Sequence, residues 1–164
     1  MVATNNMLEL KDKVVTLETA KRLVELGIVM DTEHTYHKVV WARFNMYAAQ
    51  TGGKAWKPIE GAEPFIELDF EVDPNGKDYQ YLESYPAPDS AELGAMLPQH
   101  IYDKDRDVYY WISTDKTAND DVPLWEVSFS ECNEERYTRQ LFRKNTEAEA
   151  RGRMLIWLKE NNLL

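Results

Sequence analysis

Glu67, Asp69 and Glu71 alternate with Ile66, Leu68, Phe70 and Val72, so a strand over 65–72 would carry three carboxylates on one face and four apolar residues on the other. Alternate residues on a strand face lie about 6.6–7 Å apart, close to a phosphate spacing of roughly 7 Å along one nucleic-acid strand. Such a row could enter the basic nucleic-acid channel of another protein and displace its ligand. Glu67, Asp69 and Glu71 are therefore the expected partner-binding residues. The aromatic residues offer an alternative chemistry. Tyr109, Tyr110, Trp111 and Trp125 fall in one expected hairpin, Tyr79, Tyr81 and Tyr85 in the strand before it, and Arg136, Arg139 and Arg143 follow. Trp111 and Trp125 could stack a base or another small ligand, with Arg136 and Arg139 meeting its phosphates.

Other reactive residues lack the spacing that their chemistry needs. His34 and His37 are three apart, which puts them on opposite faces of a strand. Gly52-Gly53-Lys54 lacks the upstream glycine and the following Ser or Thr of a phosphate loop. Cys132 stands among Glu131, Glu134 and Glu135, whose field disfavours a thiolate nucleophile. Asp103, Asp105 and Asp107 lack the glycine and terminal glutamate of a calcium loop. No catalytic residue, metal or cofactor is assigned, and the chain reads as non-enzymatic.

The 164 residues, 43% of them hydrophobic, suffice for one self-supporting core over 1–164. The net charge of −10 disfavours direct nucleic-acid binding. It is also localised: Glu60 to Glu126 holds seventeen acidic and four basic residues, net −13, against +3 elsewhere. A single cysteine, no long apolar run and a polar N-terminus point to a cytoplasmic protein without a membrane span.

Local signals place the elements. Thr16 reads as a helix cap with Glu18 in the first turn, and Gly27 as a left-handed terminator, giving a helix over about 17–26. Tyr36 to Ala48 reads as a strand covered on both faces, with a helix as the alternative over Ala42 to Gln50, Thr51 to Pro64 as a loop, and Tyr79 to Tyr85 as a strand returning after a turn at Asp73 to Gly76. Asp89 and Glu92 form a capping box for a short helix from Ser90 that Pro98 ends. Val108 to Ser113 and Trp125 to Ser130 read as a hairpin with a long polar loop, Thr114 to Pro123, and Arg136 to Arg143 as a further strand. Thr146 and Glu149 have capping-box spacing for a closing helix. Its buried stripe is Ala150, Met154, Trp157 and Leu158, with Ile156 off that stripe, either singly exposed or covered by the C-terminal tail. The expected fold is α+β: an antiparallel sheet of about four to six strands packed by N-terminal and C-terminal helices.

Three segments, Thr16 to Leu23, the Tyr85-Pro86-Ala87-Pro88 run into its helix, and Thr146 to Arg151, resemble a loose group of uncharacterised small phage and prophage proteins. The resemblance implies a phage-type accessory protein in the host-cell cytoplasm. Its expected partner is a host or defence factor with a basic channel, inhibited through the acidic surface. It carries no implied chemistry and no oligomeric state.

Overall fold

The computed structural model describes residues 10–28, 30–44, 50–53, 56–70, 79–119, 122–132 and 137–164. The first helix, α1, spans Leu17–Glu25 and is capped by the Thr16 side chain, which accepts from the Thr19 N–H. Gly27, at φ +70°, ends it: its N–H reaches Val24 O while the Ile28 N–H reaches Leu23 O, a paired closure that needs a left-handed residue between. The second helix, α2, spans Ser90–Met96 and has the Asp89–Glu92 capping box in full. The third, α3, spans Glu147–Glu160.

Two antiparallel four-stranded sheets flank these helices, and the fold is α+β. In the first sheet, β1 (Thr35–Phe44) pairs with β3 (Phe65–Leu68), with β4 (Tyr79–Pro86), and at its far end with β2 (Trp56–Pro58). The second sheet runs β5 (His100–Asp103), β6 (Val108–Asn119), β7 (Val122–Glu131), β8 (Thr138–Lys144) in spatial order. Among the described residues, no helix is long and apolar enough to cross a membrane.

Helix α3 is the centre of the core. Ala150, Met154, Leu155 and Leu158 pack with Tyr110, Val127 and Phe129 of the second sheet, with Leu93 of α2, and with Ala20 and Leu23 of α1. Because neighbours surround it on several sides, its buried surface is wider than one stripe, and Ile156 is 7% exposed rather than a free surface residue. Gly152 marks the closest approach of α1. A Cβ there would lie 2.8 Å from Thr19 Cγ2 and 2.9 Å from Val15 Cγ1, both on fully buried side chains.

Glu149 does not reach back to its own cap. Its carboxylate crosses to α1, where Oε2 accepts from the Thr16 N–H at 3.0 Å and Oε1 accepts from Thr19 Oγ1 at 2.6 Å and Arg153 Nε at 2.9 Å. The bond to the Thr16 N–H is the one a capping-box glutamate normally makes within its own helix, supplied here from another helix. Burial alone would raise this carboxyl, but the bonds from Thr19, Thr16 and Arg153 outweigh it and hold it below the ordinary carboxylate range.

The first sheet joins this layer through the Tyr36 hydroxyl, which donates to Val15 O at 2.9 Å, and through Val15 N–H to Pro88 O at 3.1 Å.

Several strands differ from the sequence expectation. The strand expected over 65–72 stops at Leu68, because Asp69 takes φ +47° and reverses the alternation. Phe70 consequently packs against Phe65, a residue of opposite parity, at 5.7 Å between centroids. The Thr51–Pro64 segment contains the short strand β2, and β5 is an additional strand. Thr114 to Asn119 is strand rather than loop, paired in continuous register from Tyr110↔Glu131 to Asn119↔Val122. The expected turn at 73–76 lies outside the described residues.

Two outcomes follow from this packing. Gly152→Ala should destabilise by about 1–3 kcal/mol, because the added methyl meets two immobile branched side chains. Urea denaturation measures it. For Glu149, a carboxyl depressed in the folded state contributes stability that is fully present above its unfolded value near 4.5 and is lost as pH falls through the folded value. Glu149→Gln should therefore lower the midpoint at neutral pH and shrink the loss on acidification, in thermal melts run across that range.

Candidate functional site

The second sheet has two unlike faces. Register pairs Ile101 with Tyr110, Ile112 with Phe129, and Val127 with Phe142 on the face against α3. The opposite face pairs His100 with Trp111, Tyr102 with Tyr109, Trp111 with Ser130, and Ser113 with Ser128. Here four rings stay in contact while open to solvent. Centroids are 5.0 Å apart for His100–Trp111, 5.3 Å for His100–Tyr109 and 4.9 Å for Tyr102–Tyr109. Tyr102, Tyr109 and Trp111 are 40%, 52% and 45% exposed, far above a core aromatic such as Tyr110 at 0%. Apolar rings grouped and exposed in this way are of the kind found in binding surfaces.

Beside the rings runs a chain of hydroxyls. Ser113 and Ser128 oxygens lie 3.0 Å apart, Ser128 and Ser130 3.5 Å, and Ser130 and Thr138 3.0 Å, spanning β6, β7 and β8. Trp111, Ser113, Asp115, Ser128, Ser130 and Thr138 border a concavity of about 620 Å³. Among the described charged groups nearby, Glu126 is paired with Arg143, and Asp107 accepts from the Tyr102 hydroxyl.

Of the residues expected to bind a nucleotide, those that are described are not brought together. Trp111 faces solvent, whereas Trp125 pairs with Lys116 on the other side of the sheet, with the lysine ammonium 5.5 Å from its ring. Arg139 also lies on the helix side, 2.8 Å from Asp103 Oδ2 and 5.4 Å from the Tyr110 ring. Arg136 lies outside the described residues. The tyrosines of β4 belong to the other sheet, where Tyr79 packs with Trp41 at 4.0 Å and Phe70 at 4.6 Å.

Arg139 is part of a polar lock at one end of the second sheet. Arg106 donates to the Tyr110 hydroxyl at 2.6 Å, lies 3.2 Å from Glu131 Oε1, and covers the Tyr137 ring at 4.3 Å. Asp103, held by Arg139, also accepts from the Asp105 N–H at 3.0 Å. Asp103 thereby fixes the β5–β6 turn, and Asp107 accepts from Tyr102 beside it. Burial pushes the Tyr110 phenol up, against the opposing effect of Arg106.

The described part of the acidic row, Glu67 and Asp69, is not one extended face either. Glu67 pairs with His37 in the β1–β3 ladder, but Asp69 turns inward: Oδ1 accepts from the Thr35 N–H at 2.8 Å and Oδ2 lies 2.6 Å from His34 Nδ1. Glu71 lies outside the described residues. His34 and His37 go to different partners, the latter to Ser84 Oγ at 3.0 Å. Among the described residues, no group of three or more His, Cys, Asp and Glu could hold a metal ion.

Compared with protein families, curated proteins and solved structures, the chain matches none. The local geometry therefore carries the functional argument.

The two faces make a direct prediction. Tyr110→Ala should cost about 3–5 kcal/mol by emptying the core, while its half-exposed neighbour Trp111→Ala should cost about 1 kcal/mol, the size of a cross-strand ring contact. Urea denaturation of the two variants separates a structural ring from a surface one.

Proposed function

We propose that this is a non-enzymatic recognition protein whose working surface is the helix-free face of the β5–β8 sheet. One observation carries the reading: His100, Tyr102, Tyr109 and Trp111 form a contacting set of rings on that face, with three of them 40–52% exposed. Holding such rings in water is unfavourable, and a partner that covers them recovers the lost burial at about 25 cal/mol per Å² of apolar area. A sheet held by α3 on its other face loses little conformational freedom on binding.

This reading relocates the surface expected from the charge pattern. Acidic mimicry needs Asp69 free to meet a cation, yet its two oxygens already serve Thr35 and His34. A phage-type accessory role in a host cell, in which binding inhibits a host or defence factor, remains the setting that the resemblance supplies. The aromatic face supports binding in that setting with low dependence on charge.

A photo-crosslinking side chain placed at Tyr109 or at Glu67, used in extract of the source cells, distinguishes the surfaces. Adducts are expected from position 109 and should persist at high salt. Adducts from position 67 alone, disappearing as salt screens the contact, would restore the acidic row.

A further inference from the structure

Resting on that reading of the aromatic face, we propose that its ligand is a neutral saccharide. A sugar ring would lie against Trp111, and its hydroxyls would enter the Ser113–Ser128–Ser130–Thr138 chain. The two halves of the surface match the two halves of such a ligand. A pyranose ring has a patch of C–H bonds that packs on an aromatic face, where the negative π-cloud meets weakly positive hydrogens. Its rim is polar and needs partners that both donate and accept.

Each Ser or Thr hydroxyl gives one O–H donor and two acceptor lone pairs, and its hydrogen rotates to suit. Four of them in line, 3.0–3.5 Å apart, leave capacity beyond the bonds they make to one another. Register brings the halves together, because Trp111 pairs directly with Ser130, which pairs with Thr138. The adjoining concavity of about 620 Å³ falls within the roughly 300–1,000 Å³ range of small-ligand sites.

Charge selects among ligands that could stack on these rings. A nucleotide or single-stranded nucleic acid requires cations along the same groove. The described residues lining the concavity include no Lys or Arg; Asp115 and Glu131 are its charged groups. Asp115 would repel a phosphate, yet its carboxylate can accept from two neighbouring sugar hydroxyls. Among the described residues of this face, Arg143 is paired with Glu126.

The test titrates the full chain with maltotriose, cellotriose and chitotriose in turn, and with an oligothymidylate of similar length, following the tryptophan indole and backbone amide resonances. At least one trisaccharide should produce a saturable shift at Trp111, Ser128 and Ser130 at millimolar concentration or below. Trp111→Ala should weaken this binding at least about tenfold, equivalent to about 1.4 kcal/mol. Ser128→Ala with Ser130→Ala should weaken it with little change in the melting temperature, since both side chains lie on the solvent face. The proposal is overturned if no trisaccharide shifts these resonances, if only the oligothymidylate does, or if sedimentation shows a dimer that Trp111→Ala dissociates. Failure with every trisaccharide, together with partner adducts from position 109, would remove the saccharide and leave the recognition face standing.

Discussion

The carboxylate of Glu149 is the constraint on which the arrangement depends. It is 8% exposed, and an ion so placed is costly unless hydrogen bonds replace the water it has lost. Three donors do so: the Thr16 N–H, the Thr19 hydroxyl and Arg153. The Thr16 N–H belongs to the cap of α1, so one side chain satisfies the start of one helix from within another. Gly152, one turn further along α3, removes the side chain that would hold the helices apart. Polar satisfaction and close packing thus fix the same interface.

From that interface the order spreads in both directions. Residues before α1 carry it to the first sheet, where Val15 accepts from the Tyr36 hydroxyl and donates to Pro88. The apolar face of α3 carries it to the second sheet through Val127 and Phe129. At the end of that sheet, Arg106 and Arg139 tie the β5–β6 turn to β7 and β8 across Tyr110. One face of the second sheet is consequently held by apolar packing and ion pairs, and the other is free to present rings and hydroxyls on a rigid base.

The legible parts of this fold were those decided within a few residues. Thr16, Gly27 and the Asp89–Glu92 pair announce their helices because caps are local chemistry. Glu149 could not be read in this way: its spacing from Thr146 suits a capping box, but a packed neighbouring helix offered stronger donors. Strand β5 has four residues and buries only Ile101, too short a pattern to show. Thr114 to Thr117 look like loop because solvent-facing strand residues are polar for the same reason as loops. Whether Trp111 and Trp125 share a face depends on hairpin register. With Asn119 opposite Val122, odd residues of β6 meet even residues of β7, and the two tryptophans separate; a shift of one residue would unite them. Two rings of the helix-free face, Tyr109 and Trp111, were therefore visible in a cluster, whereas His100 and Tyr102 come from the unread strand β5, and the sidedness of all four required the register. Asp69 shows the same limit, since one left-handed residue ends an alternation that the sequence continues.

Native-state hydrogen exchange on Glu149→Gln tests most directly whether this one carboxylate organises the molecule. The account predicts that amides of α1, of Ala87, and of α3 around Leu155 lose protection together and by similar factors, as one cooperative unit. Loss confined to Thr16 and Thr19, with Ala87 and α3 as protected as before, would contradict it and reduce Glu149 to a local cap.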